Sequence, residues 1–482
     1  MKLKRIYVRI LLSACITATV LFNACAQRYN RYGLPQYAYE YQIPEEVDDG
    51  WQTSSLDTEG IDSEKIHGMI GKILNGDIDN IHGIVVIKNG KLVLEEYFDG
   101  FDRDTKHRIF SASKSVTSIL IGIAIDRGMI KGVDTPLFEF FPEYEGTKWI
   151  DQKYAINLEH VLTMTAGLDW NDWKYPGYDT RDTTQQMTRS GDWLKFVLNR
   201  ETIESPGEKF AYNNGLSILL GAIINNTTGQ NAVNFADKNL FACLGISDYT
   251  WDKGDGGIVN TAWGLSMKSR DMAKIGYLFL KNGEWNQKRI VSQEWVYKSV
   301  IDYAAQDVVL GTGYGYQWWF GKSRINKQDV ETFYAAGHGG QYIFVCPVLD
   351  SVVVVTSKYI GNPLGEFRPQ MLLVNYILPA MLPPVSSEAI RPTPAMLENY
   401  AGKYEFPKWE LKATVGSRGD RLFIDLPKSV EKEAKPSDEN EFLYPLKGYG
   451  DVRLDFIEDD TGVITQMVAY FGYANITFRK IS

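Results

Sequence analysis

Cysteine is scarce in this chain. There are four in 482 residues, and two of them, Cys15 and Cys25, fall in the apolar N-terminal stretch. Cys243 and Cys346 remain, too few for a disulfide framework, and sequence spacing leaves a bond between them open. Histidine is equally sparse. The five are scattered, and neither HExxH nor a paired CxxC occurs, so no metal centre is expected. Basic charge is short too: 51 Lys and Arg stand against 60 Asp and Glu, a formal net charge of -9, which argues against a nucleic-acid partner. GTGYGYQ (311–317) lacks GxGxxG spacing and follows no βαβ pattern, so no nucleotide or other cofactor is expected. A GxSxG elbow is missing, which argues against a Ser-His-Asp hydrolase of another fold.

What the N-terminus does carry is an address. MKLKRIYVR, then ILLSACITATVLF, then NACAQ gives a basic start, an apolar stretch and small residues before a cut. The apolar stretch is too short to span a membrane. Cys25 after Ala24 is expected to be the lipidated cysteine of an exported, periplasmic, membrane-anchored lipoprotein. A lipobox at Leu12-Ser13-Ala14-Cys15 and an ordinary cut within Ala24-Cys25-Ala26 compete with it. Residues 1–25 are thus read as the signal and 26–59 as a tether. Removing residues 1–24 takes away four basic residues and no acid, moving the formal charge from -9 to -13.

No internal repeat is found. PAMLPPVSSEAIRPTP (379–394) has the proline density of an extended connector. A linker at 383–396 therefore separates a domain at 60–382 from a smaller one at 397–482. In the first, GIVVIKNGKLVLEEYF (83–98) is a hairpin signal around Asn89-Gly90. Helical patterns follow at 111–127, 157–165, 214–227, 231–242, 269–281 and 366–378, with late strands at 314–320, 341–347 and 351–357. Two strands, many helices and three more strands predict an α/β (α+β) domain, its one antiparallel sheet closed by both chain ends and flanked by helices. The second domain has seven short strand-like runs with Gly and Asp turns, which predict a small β-barrel or sandwich.

The stretch HRIFSASKSVTSILIGIAIDRG (107–128) reads as a buried helix with one polar stripe: Ser111, Lys114, Ser115 and Ser118 share a face. A serine at a helix start sits where unpaired N–H groups and the positive dipole end favour developing negative charge. A lysine one turn on leans back toward it, and enclosure favours the neutral amine that can take the serine proton. Alone, Ser111 capping the helix and Lys114 reaching solvent is the commoner arrangement. A second SxxK, Ser429 to Lys432, lies in the polar run KSVEKEAKPSDEN and serves as the control for context. Tyr212 and Asn214 open another apolar helix, offering a phenol to relay a proton and a carboxamide to hold a substrate carbonyl; Tyr473-Ala474-Asn475 is the decoy, explained by strand alternation. His338-Gly339-Gly340-Gln341 precedes an apolar strand, where glycines let a substrate lie close and the strand edge offers N–H donors.

The order SxxK, Tyr-x-Asn, His-Gly-Gly resembles the serine β-lactamase and penicillin-binding-protein family. It looks most like the branch of class C β-lactamases, D-amino-acid peptidases, esterases and 6-aminohexanoate-dimer hydrolases. The resemblance covers about 60–380 and extends through HVLTMTAGLDW (160–170) and GIVNTAWGLSMKSRDMAKIGYLFLKNG (257–283). It implies a transpeptidase-like fold with a helical lobe, and an acyl-enzyme formed on a small amide, ester or peptide. Carried over, Ser111 is the nucleophile, Lys114 its base and Tyr212 the proton shuttle. Asn214 orients substrate, and the backbone N–H groups of Ser111 and Gln341 form the oxyanion hole. A Lys-Thr-Gly triplet is replaced here by His338-Gly339-Gly340, and histidine is mostly neutral near pH 7, which weakens a β-lactamase or D-Ala-D-Ala carboxypeptidase reading. Trp170, Trp173 and Tyr175 either line the pocket or form a core patch. The C-terminal domain resembles the lipocalin-like appendages of some relatives. The rival from another class is a silent wall-binding or sensor protein, against which the intact Ser, Lys and Tyr count.

Overall fold

A computed structural model describes residues 39–481 apart from 145–154, 173–178, 304–311, 361–364, 384–391 and the short stretches 408–409, 427–430, 439 and 447–449. The segment read as a signal, with Cys25, lies outside the described residues, as do Trp173, Tyr175, Ser429 and most of the stretch read as a linker.

The main sheet holds β1 (Gln52–Thr53), β2 (Ile81–Lys88), β3 (Lys91–Tyr97), β4 (Gly313–Tyr314), β5 (Trp319–Ile325), β6 (Gln328–Gly337), β7 (Gln341–Cys346) and β8 (Ser351–Ser357). Their order is β1-β3-β2-β8-β7-β6-β5-β4, so the two ends of the domain meet where β2 pairs antiparallel with β8. Asn89 and Gly90 join β2 to β3 with φ of 52° and 80°, the left-handed pair a tight hairpin turn demands. The central strands are unbroken apolar runs because both faces are covered. Val85, Ile87, Ile343, Val345, Val352 and Val354 enter one core, while Ile84, Val86, Phe344, Val353 and Val355 enter the other. Helix α1 (Ser63–Leu74) packs in the second core. Helices α2 (Ser113–Asp126), α3 (Asn214–Thr228) and α4 (Ser269–Leu280) pack in the first, and α5 (Arg368–Leu372) opens the helical run that returns to the second.

The structure departs from the sequence reading in three places. The run 314–320 is not one strand: Gln317 takes φ of 63° and its N–H turns back toward Gly315 and Leu162, so Tyr314 and Trp319 face each other across a turn. Strand β6 was not foreseen, since QDVET alternates exposed polar and buried positions without an apolar run. Residues 39–59 are no free tether either. Tyr39 Oη donates to Glu96 Oε1 (2.7 Å), Tyr41 Oη donates to Val93 O (2.8 Å), and β1 pairs with β3 in parallel. Arg270 on α4, 3% exposed, locks this segment down, with Nε and Nη2 on Glu95 (2.8 and 2.6 Å), Nη1 on Asp49 (3.0 Å) and Nη2 on Glu45 O (2.7 Å). Cys243 and Cys346 are unpaired, the latter buried with its thiol on Thr332 (3.2 Å).

In the C-terminal part eight strands, from Gly402–Phe406 to Ala474–Lys480, close an antiparallel barrel. Tyr404, Phe442, Tyr444, Phe456 and Phe478 fill its core. Its last hairpin, Ile464–Phe471 to Ala474–Lys480, drives Tyr473 into the second core of the main domain, stacked on Tyr334 with ring centres 5.5 Å apart. The decoy tyrosine is thus a docking residue.

Removing one partner of a buried charge network leaves the others uncompensated. Arg270→Met is expected to lower stability by about 3 kcal/mol in urea unfolding, and to open residues 39–50 to limited proteolysis before the rest of the domain.

Candidate active site

Helix α2 is preceded by a single tight turn, Phe110–Ala112, that carries Ser111. Phe110 holds φ of 46°, a left-handed conformation that a bulky residue adopts only when its surroundings impose it. Those surroundings are close. Ser113 Oγ donates to Phe110 O (2.6 Å), and the end of β6 lies against the turn so tightly that a methyl group at Gly337 would stand 2.0 Å from the Ile109 carbonyl oxygen.

Lys114 is 2% exposed. Its Nζ lies 2.7 Å from Asn214 Oδ1, 2.8 Å from Ala262 O and 3.1 Å from Ser111 Oγ. Burial pushes its pKa down from 10.5 to about 7, against a smaller opposite pull from Asp172. A neutral amine has two N–H donors and one lone pair. Charged, the amine donates to all three oxygens; neutral, with Asn214 and Ala262 taking its two hydrogens, its lone pair is left for the Ser111 hydroxyl. The carboxamide of Asn214 cannot be reversed, because Nδ2 donates to Asp172 Oδ2 (2.8 Å) and Thr184 Oγ1 (3.0 Å). Asp172 also accepts from the Asn214 N–H (3.1 Å) and the Thr184 hydroxyl (2.5 Å), and burial holds its carboxyl above the usual range. Tyr212 is hydrogen-bonded to Ser111 and stacks on Trp319 at 6.0 Å, with Lys114 Nζ 5.0 Å from its ring centre. Burial raises its phenol pKa, which keeps the proton on it.

On the other side stands the turn between β6 and β7. Gly339 and Gly340 take φ of 77° and 88°, and a methyl group on Gly340 would meet Ser357 Oγ at 2.2 Å. Ser357 Oγ donates to the carbonyls of both glycines (2.8 and 2.7 Å). Gln341 is buried, and its amide clips β7 to β8 by donating to Ser357 O (2.5 Å) and accepting from the Ser357 N–H (3.3 Å). His338 is 43% exposed, sets its ring edge-on to Phe110 (5.6 Å) and places Nδ1 2.6 Å from Glu366 Oε1, which raises its pKa.

The structure thus brings Ser111, Lys114, Tyr212 and Asn214 into direct contact and sets the 338–341 turn beside them through Phe110 and Gly337. Asn214, expected to orient substrate, has its oxygen on Lys114 and both amide hydrogens engaged, so it holds the lysine in place. The polar stripe also ends early: Ser115 donates to Gln317 O (2.7 Å), and the buried Ser118 hydroxyl has no partner among the described residues. Sequence reasoning missed Asp172, Thr184, the Ala262 carbonyl and Glu366. Asp172 had a signal, an acid inside the aromatic run LDWNDW; Glu366 had none. Among the described residues, no three His, Cys, Asp or Glu converge as metal ligands.

A family model described as Beta-lactamase matches residues 63–369, spanning the whole site. The chain is 28% identical over 299 residues to a 6-aminohexanoate-dimer hydrolase of Paenarthrobacter ureafaciens, covering 57% of this chain and 72% of that protein. Protein flp of Staphylococcus aureus (strain N315) is 26% identical over 180 residues, with 34% of each chain covered. An octameric penicillin-binding protein homologue from Pyrococcus abyssi matches in structure with a TM-score of 0.51 at 19% identity, over 86% of this chain and 99% of that one. At that identity the likeness is one of fold.

The Lys114 amine has a stability consequence. The unfolded chain keeps this proton up to about pH 10.5 and the folded one only to about 7, so between those values unfolding takes up a proton and stability rises with pH. Comparing urea midpoints at pH 7 and 9.5, wild type is expected to gain on Lys114→Met as pH rises, by at most about 1.4 kcal/mol per pH unit.

Proposed function

From the premise that the chain belongs to the beta-lactamase family of serine hydrolases, we propose that it cleaves a small amide, ester or peptide through an acyl-enzyme on Ser111. The carrying observation is the placement of the buried Lys114 amine, with Nζ 3.1 Å from Ser111 Oγ and held there by Asn214 Oδ1 and Ala262 O at 2.7 and 2.8 Å. Ser111 Oγ attacks the substrate carbonyl while Lys114 Nζ takes its proton. The oxyanion forms in front of the backbone N–H groups of Ser111 and Gln341. Tyr212 hands a proton to the leaving nitrogen or oxygen. The C–N or C–O bond breaks, and the acyl group stays on Ser111. Water then repeats the attack with the proton path reversed. His338, with Gly339 and Gly340, receives the substrate at the turn where β6 passes into β7. The relative that hydrolyses a 6-aminohexanoate dimer favours a linear amide over a β-lactam. The export signal over residues 1–25 and a lipid on Cys25 are part of the same proposal, placing the enzyme at the periplasmic face of a membrane.

Intact-protein mass after a fluorophosphonate probe tests the nucleophile. One adduct is expected on wild type and Ser429→Ala, and none on Ser111→Ala. The labelling rate should climb roughly tenfold per pH unit below a midpoint near 7 as Lys114 loses its proton, and Tyr212→Phe should slow turnover on the order of 100-fold or more. An unlabelled but folded wild type would overturn the reading. For the anchor, metabolic labelling with a fatty acid is expected on wild type and lost in Cys25→Ser.

A further inference from the structure

We propose that the C-terminal barrel is a positioning element of the active site, because its docked hairpin holds, through Gln370 and Tyr342, the backbone of Glu366 and so the His338–Glu366 pair. This rests on the hydrolase reading above for its catalytic consequence, though not for its geometry.

The path is continuous and has one polarity. The Tyr473 backbone N–H donates to Gln370 Oε1 (3.0 Å). That fixes which end of the amide faces the sheet, so Gln370 Nε2 donates to Tyr342 Oη (3.2 Å). The phenol, already accepting, directs its own proton to Glu366 O (3.0 Å). Glu366 Oε1 then meets His338 Nδ1 at 2.6 Å. Gln370 is 2% exposed and Tyr342 4%. A bond lost there has no water to replace it, and the orphaned partner bears the full desolvation penalty.

Packing points the same way. Gly472 sits at the tip of the barrel hairpin with φ of 70°, and a methyl group there would stand 2.3 Å from Gln370 Cβ. Phe367 and Met371 turn into the barrel core, whereas Glu366 between β8 and α5 turns to the site. A segment of six residues is therefore shared between the two bodies. Removing the barrel would expose Phe367 and Met371 and free the Gln370 carbonyl that starts the path. The barrel acts from behind the sheet, and the exposed mouth of the site at His338 is left open.

The test uses the full chain and four variants: Tyr342→Phe, which keeps the ring stacked on Phe344 and removes only the hydroxyl; Gln370→Leu; Glu366→Gln as the reference for losing the carboxylate; and Asn375→Ala. The last breaks another barrel contact, Asn375 Nδ2 to Asp451 O (2.6 Å), outside the path. Two readouts are taken: the titration of His338 by ring nitrogen NMR, and KM and kcat on a p-nitrophenyl ester. Glu366 is the charged group acting on His338, and its hydrogen bond is the largest influence on that imidazole. Tyr342→Phe and Gln370→Leu are expected to move the His338 pKa in the direction Glu366→Gln moves it, and to raise KM roughly fivefold, the worth of one hydrogen bond, with kcat within about twofold. Asn375→Ala should leave both unchanged. Wild-type values in Tyr342→Phe and Gln370→Leu would overturn the proposal, as would the same shift in Asn375→Ala, which would make it mere domain docking. If wild type fails to label at Ser111 the hydrolase reading falls, and the NMR titration still decides the path.

Discussion

An amine enclosed in a helix bundle governs this site. Water cannot reach Lys114, so every hydrogen on its nitrogen must find a protein acceptor or lose the proton that makes it a cation. Asn214, Ala262 and the Ser111 hydroxyl supply three acceptors; when burial strips one proton from the amine, its lone pair is left to face Ser111. The surroundings serve that placement. Asp172 and Thr184 hold the amide of Asn214 the right way round. The Ala262 carbonyl is fixed by its neighbour Thr261, whose carbonyl accepts from Thr117 on α2 (2.9 Å) and whose hydroxyl donates to Ser217 O on α3 (2.7 Å). Helices α2 and α3 are thus stitched together around a buried amine whose pKa is brought down to about 7.

Such an arrangement is legible in a sequence only in part. Ser111, Lys114, Tyr212 and Asn214 could be read because each sits at the start of an apolar helix, where a polar residue is conspicuous. Asp172 sits in a loop rich in aromatics, where no periodicity marks it, and its importance comes from contacts made across 42 positions to Asn214. Glu366 lies on an irregular segment whose conformation is set by two domains at once. The grip of Asn214 on Lys114 was hidden for a related reason: a motif states which groups are present and leaves open which hydrogen bonds they make.

The fold follows the same division. The hairpin at 83–98 and the run 351–357 were readable because a central strand covered on both faces is apolar throughout, and a primed turn needs Asn-Gly. The split of 314–320 was hidden by its composition. Tyr314, Tyr316 and Trp318 are all fully buried, so aromatic content suggested one strand where the left-handed Gln317 reverses the chain. Strand β6 and the folded segment 39–59 were hidden by polarity. The first opens on the exposed polar residues Gln328, Asp329 and Glu331, and the second is held by buried charge on Arg270, which reads in a sequence as an ordinary surface helix residue.

The sheet itself explains why the site has two separable halves. Ser111, Lys114, Tyr212, Asn214 and Asp172 hang from helices and loops packed in the first core, where Asn214 and Asp172 hold the amine beside Ser111. The 338–341 turn joins β6 to β7 and Glu366 lies between β8 and α5, both tied through Tyr342 into the second core, where the barrel docks. Phe110 is the contact between them, strained in its backbone, with its ring against His338. The buried amine and its partners are thus held within the first core, while the His338–Glu366 pair is tied to the barrel side. A chain organised this way can vary the face that receives substrate without disturbing the buried amine on which the chemistry depends.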